Sequence, residues 1–112
     1  MDIDIAIKEI IKSLSMRIVP LCDEIISNDF RNCQTAFQLR ANIVNVETNI
    51  KEIESLDNMD DIMHRSRSAI KKIDEIACLM KPEYGKLYQS IYVDCKKLIK
   101  LLRASVNTLN NK

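Results

Sequence analysis

Apolar residues recur along this chain at steps of three and four, the spacing that lines one face of an α-helix. The first such stripe is Ile3, Ile7, Ile10, Ile11, Leu14, Ile18, Leu21, Cys22 and Ile25, and it predicts a helix from Asp2 to Ser27. Pro20 falls inside it, and a proline removes an amide donor and crowds the carbonyl one turn earlier, so a kink or break is expected near Ile18. Ser27-Asn28-Asp29 reads as an N-cap cluster for a second helix that ends near Leu56. Two apolar rows run along that helix, one of Phe30, Cys33, Phe37 and Val44, the other of Ala36, Leu39, Ile43, Val46, Ile50 and Ile53.

Asp57-Asn58-Met59-Asp60 combines turn chemistry with acids suited to the positive end of a helix dipole. The third helix that follows buries Ile62, Met63, Ala69, Ile70, Ile73, Ile76, Ala77 and Met80, and stops before Lys81-Pro82-Glu83-Tyr84-Gly85. A fourth carries Leu87, Tyr88, Ile91, Cys95, Leu98, Leu102, Val106 and Leu109, with Asn107 to Lys112 expected to fray. Connections of a few residues force neighbouring helices antiparallel, so the pattern predicts an all-α, up-down-up-down four-helix bundle, one domain spanning residues 1–112.

Composition supports this. With one glycine and two prolines the chain has few residues suited to tight hairpins, and 46% hydrophobic residues is ordinary globular usage. The formal charge of +1 argues against a nucleic-acid partner bound through phosphate neutralisation. That charge is uneven: Met1 to Leu56 holds six Lys/Arg against nine Asp/Glu, whereas Asp57 to Lys112 holds eleven against seven, so the second half can present a basic face. No apolar run reaches the roughly 20 residues of a membrane span, and the opening Met1-Asp2-Ile3-Asp4 does not resemble a signal peptide. Cys22, Cys33, Cys78 and Cys95 lack metal-binding spacing, so reduced, buried thiols in a cytoplasmic protein are expected.

The chemistry-bearing residues are few. His64, the only histidine, sits in His64-Arg65-Ser66-Arg67-Ser68, which lacks the lysine and glycine of the H-x-x-K-G phosphotransfer pattern and reads as a solvated surface residue. The acidic pairs Asp23-Glu24, Asp60-Asp61 and Asp74-Glu75 are sequence neighbours lying about 100° apart around a helix, so they do not converge as catalytic carboxylates must. One glycine precludes a glycine-rich phosphate loop. No catalytic, cofactor-binding or metal-binding residue is assigned. Arg65, Arg67, Lys71 and Lys72 on the third helix, with Lys96, Lys97, Lys100 and Arg103 on the fourth, are candidate contacts for an anionic lipid surface or a protein partner. The arginine-flanked Ser66 and Ser68 also read as a candidate phosphorylation target. Tyr84, Tyr88 and Tyr92, one turn apart, are candidate interface aromatics or a cover for the bundle end.

The second-helix segment Asn32-Cys33-Gln34, the row Leu39-Arg40-Ala41-Asn42-Ile43 continuing through Ile50-Lys51-Glu52-Ile53-Glu54-Ser55-Leu56, and the lysine-rich fourth helix give the chain a particular layout. It resembles the N-terminal four-helix bundle of mixed lineage kinase domain-like proteins, plant helper immune receptors and fungal HeLo-type cell-death proteins. The resemblance implies a signalling module that self-associates and contacts anionic membranes through surface cations, perturbing them. The chain departs from that pattern in lacking a kinase or nucleotide-binding domain and in carrying Asp2, Asp4 and Glu9 in its first helix. The reading that results is a non-enzymatic bundle acting by protein contact or self-assembly in signalling, with peripheral binding to anionic lipid as the alternative.

Overall fold

The computed structural model describes residues 5–28 and 33–110, and within them the side chains of Asn28, Glu83, Leu109 and Asn110 are not described. The described residues form four α-helices, α1 (Ile5–Asn28), α2 (Cys33–Ile53), α3 (Met59–Leu79) and α4 (Lys86–Asn110), with a 3-10 turn at Pro82–Tyr84 before the last. They pack as a rod with principal extents of 49 × 20 × 19 Å, and each helix lies against two neighbours, α1 on α2 and α4, α3 on α2 and α4. Helices of 21 to 25 residues are about 31 to 37 Å long at 1.5 Å per residue, so a single layer of four covers the core along its length.

That core follows the expected stripes, except that Ile10, Met63, Ile70, Leu87 and Tyr88 are only half-buried and Ile99 joins it; Ile3 and the side chain of Leu109 lie outside the described residues. Leu14 and Ile18 of α1, Leu39 and Val46 of α2, Ile73 and Ile76 of α3, and Ile91 and Leu98 of α4 are all fully buried. Each such aliphatic side chain contributes on the order of 1.5–3 kcal/mol relative to exposure.

Four local expectations need correction. Helix α1 runs unbroken through Pro20. Pro20 and Met16, whose carbonyl the ring crowds, both lie on the exposed side, so the freed carbonyl faces solvent and the buried side keeps its ladder. Ser27 and Asn28 belong to the last turn of α1 and not to a cap for α2; Asp29 and Phe30 lie outside the described residues. Helix α2 ends at Ile53, three residues early, because Glu54 and Ser55 turn and the Ser55 hydroxyl and amide both donate to the Glu52 carbonyl. Of the two apolar rows of α2, only the one from Ala36 to Ile53 is inside; Phe37 and Val44 are 65% and 60% exposed.

The links are built from specific side chains. Asn58 has extended backbone and its Oδ1 accepts from the amides of Asp60 and Asp61 at 2.8 and 3.3 Å, satisfying two orphan donors of α3, whose first turn holds those two acids. Gly85 closes the 3-10 turn at φ 72, ψ −143, a backbone region essentially restricted to glycine, and its amide donates to the Pro82 carbonyl. Helix α4 runs to Asn110, and Asn111 and Lys112 lie outside the described residues.

Polar groups inside the bundle are paired across helices. Asn49 is 4% exposed and its Nδ2 donates to Asn45 Oδ1 at 2.7 Å and to Ser68 Oγ of α3 at 3.5 Å, while Arg65 Nη1 donates to its Oδ1 at 3.2 Å. Between the first and last helices, Arg17 Nη2 meets Asp94 Oδ2 at 2.5 Å, with side-chain exposures of 21% and 32%, and Arg17 is braced by Ser13 one turn back.

Candidate interaction surfaces

The eight basic residues do not form one face. On α3, Arg65 and Lys72 are seven positions apart on the side that packs against α2, where Arg65 donates to Asn49 and Lys72 shares a depression with Gln38 and Ala41. Arg65 Nη1 lies 2.8 Å from Glu52 Oε2, an ion pair without hydrogen-bond geometry, and Lys72 Nζ lies 3.4 Å from Glu75 Oε2. These pairs are substantially exposed, which screens them, and their main effect is to occupy the cations. On α4, Lys96 reaches Asp74 of α3 at 3.5 Å and stands 5.5 Å from the Tyr92 ring centroid. Lys71 and Lys97 are exposed and have no ion-pair partner among the described residues.

Arg67, Lys100 and Arg103 are brought together. Two abutting depressions between α3 and α4, about 510 and 370 Å³, share Arg103 and Asn107. The first is rimmed by Asp74, Lys96 and Lys100 over Ile99, and the second by Arg67 over Ile70 and Val106. Arg67, Lys100 and Arg103 have no ion-pair partner among the described residues. The groove therefore has an apolar floor, a basic rim and a single acid, which Lys96 already meets.

The tyrosines divide as well. Tyr84 and Tyr88 are half-buried against the core, so these two do cover the bundle end, whereas Tyr92 is 40% exposed. Tyr88 and Tyr92 stack with centroids 6.3 Å apart at 32°, and Lys96 follows on the same line. His64 is exposed on α3, and no hydrogen bond or ion pair ties it to a described residue. Ser66 is 2% exposed, which removes it as a modification target in the folded state; Ser68 is partly buried beside Asn49.

The thiols are all free but not all buried. Cys22 and Cys95 are inside, Cys33 is half-buried and Cys78 is exposed, because position 78 lies on the outer side of α3 opposite Ile76 and Ile73. Burial raises the Cys22 pKa against the opposing pull of Arg40, and the Cys22 thiol donates to the Ala36 carbonyl at 3.3 Å. Burial, helped by Asp94, pushes Cys95 up to about 12, so both inner thiols stay protonated and unreactive at neutral pH.

One surface was not anticipated. Between α1 and α2 runs a groove of about 360 Å³ lined by Ile11, Met16 and Ile50, with Lys8, Lys12 and Lys51 alternating with Glu47 and Glu54 at its edge. Lys8 and Glu54 form an ion pair. Met16 is 68% exposed, and Phe37 and Val44, seven residues apart on one side of α2, are 65% and 60% exposed. The second apolar row of α2 was the available signal for it. Among the described residues no three His, Cys, Asp or Glu side chains gather as metal ligands, and no helix is long and apolar enough to cross a membrane.

No family model matches the chain, and no curated protein or solved structure is found to be similar to it. The likeness to the cell-death bundles thus rests on the helical layout and the residues that carry it.

Proposed function

We propose that this domain is a non-enzymatic interaction module that works by protein contact in a signalling assembly, pairing with a second copy of itself through the α1–α2 face. The observation that carries the reading is the second apolar row of α2. Phe37 and Val44 stay 65% and 60% exposed on α2, and Met16 of the adjoining α1 is 68% exposed at the groove the two helices form. Side chains of this size on one face, rimmed by charge, are what interfaces are built from. The rim supports a two-fold arrangement. In such a dimer one patch meets itself, and an edge carrying Lys12 and Lys51 beside Glu47 can satisfy both signs across the axis.

The alternative, peripheral binding to an anionic membrane through the third and fourth helices, has less support. Lipid headgroups present a broad plane, whereas Arg65 is paired with Glu52, Lys72 with Glu75 and Lys96 with Asp74, and Arg67, Lys100 and Arg103 line a concavity, which leaves only Lys71 and Lys97 of the eight both outside it and unpaired among the described residues. Size-exclusion chromatography with light scattering tests the proposal. Mass should rise with concentration from 12.9 kDa toward twice that value, and Phe37→Asp with Val44→Asp should hold the chain monomeric without loss of helicity. A chain that stays monomeric at about 100 µM, or a dimer indifferent to both substitutions, refutes it.

A further inference from the structure

The α3–α4 groove is a separate surface, and its chemistry points to a different occupant. We propose that it receives an acidic, amphipathic helical segment of a partner protein. Three features select this ligand. Arg67 on one wall and Lys100 and Arg103 on the other are exposed cations without ion-pair partners among the described residues, so the groove carries an uncompensated positive rim. Its floor is aliphatic: Ile99 and Val106 are 5% and 8% exposed and Ile70 is half-buried. A free phosphate or other small anion uses the rim alone and gains nothing from that floor. A flat charged surface cannot reach it.

The third feature is length. Tyr92, Lys96, Lys100 and Arg103 follow one another along the flank of α4 that faces α3, and the eleven helical steps from the first to the last cover about 16 Å. The rim cations at 96, 100 and 103 repeat at four and three residues, so carboxylates spaced one turn apart on a guest helix match them, with its apolar stripe turned to the floor. Lys96 remains shared with Asp74, and the stacked Tyr92 offers an amphipathic contact at the groove's end. Complementary charge sets partner choice and association rate, and the aliphatic contact slows release.

Binding is read by fluorescence anisotropy with a labelled helical peptide of about 15 residues, bearing glutamates at one-turn spacing and leucines on the adjoining face. Its scrambled-order counterpart and vesicles containing phosphatidylserine serve as competitors. The intact chain should bind the ordered peptide at least about tenfold more tightly than the scrambled one. Arg67→Glu with Arg103→Glu should weaken binding at least about tenfold, with circular dichroism confirming the fold, while Arg103→Lys retains most of it. Lys86→Glu, a cation on the first turn of α4 away from the groove, and Phe37→Asp should leave affinity unchanged, which separates this site from the α1–α2 face. The proposal is overturned by absence of binding at about 100 µM, by equal affinity for the scrambled peptide, by equal loss in Lys86→Glu, or by capture of vesicles in place of the peptide.

Discussion

Two aspartates placed six residues apart on α2 should have opposite consequences. Ile43 is 2% exposed at the centre of the bundle and Phe37 is 65% exposed, although both belong to apolar rows of the same helix. Truncating a buried isoleucine costs about 2–5 kcal/mol, and an unpaired carboxylate at that site adds several more because neither water nor a cation reaches it. At 0.05–0.15 kcal/mol per residue, a domain of this length holds about 6 to 17 kcal/mol in total, so Ile43→Asp removes most or all of it. Phe37→Asp changes a solvated position and should cost no more than about 0.5 kcal/mol, or roughly 2–4 °C in melting temperature. Thermal melts followed at 222 nm, at concentrations low enough to keep the chain monomeric, measure both. A folded Ile43→Asp, or a Phe37→Asp that collapses with it, would mean that the wrong row of α2 has been placed inside. Leu98→Asp on α4, at a fully buried position, should behave as Ile43→Asp does.

Two other measurements bear on the fold. Asn58→Ala removes the oxygen that holds the amides of Asp60 and Asp61 and should lower stability by about 1 kcal/mol in urea titration; no change would mean that solvent replaces the cap without loss. The Cys95 thiol ionises near 12 when folded and near 9 when not, so the unfolded chain releases this proton first and stability falls as pH rises past 9, by about 1.4 kcal/mol at pH 10. Cys95→Ala should be less stable at neutral pH yet lose less on going to pH 10 than the parent, and equal losses would remove the thiol from the account. A thiol reagent on the native protein should modify Cys33 and Cys78 while sparing Cys22 and Cys95.

The helices were readable because burial on one side of a rod leaves a three-to-four-residue beat, and that beat is local. Which of two rows turns inward is not, yet a clue exists in α2. The row of Phe37 and Val44 runs on into Lys51 and passes beside Arg40 and Glu47, whereas the row from Ala36 to Ile53 meets no charge. Pro20 misled because its effect depends on the side of the helix it occupies, and a proline among solvated neighbours interrupts nothing that the core needs. The basic residues were identifiable as types but not as a site. Arg65 and Lys72 share one side of α3 and Arg67 another, and whether an acid waits there depends on Glu52 and Asp74, which tertiary packing supplies. Asn42 and Asn49, seven positions apart beside the aliphatic row of α2, signalled an internal polar seam that the pattern of apolar residues alone did not reveal.

That seam restricts how α2 and α3 can move. A slip of one turn, about 5.4 Å, would carry the Asn49 amide away from Ser68 and Arg65 of α3, at about 1–3 kcal/mol for each polar group left stranded. The pair behaves as a keyed joint with a single seating. Any rearrangement that exposes the interior should part α1 from α4 at the Arg17–Asp94 clasp and leave α2 seated on α3.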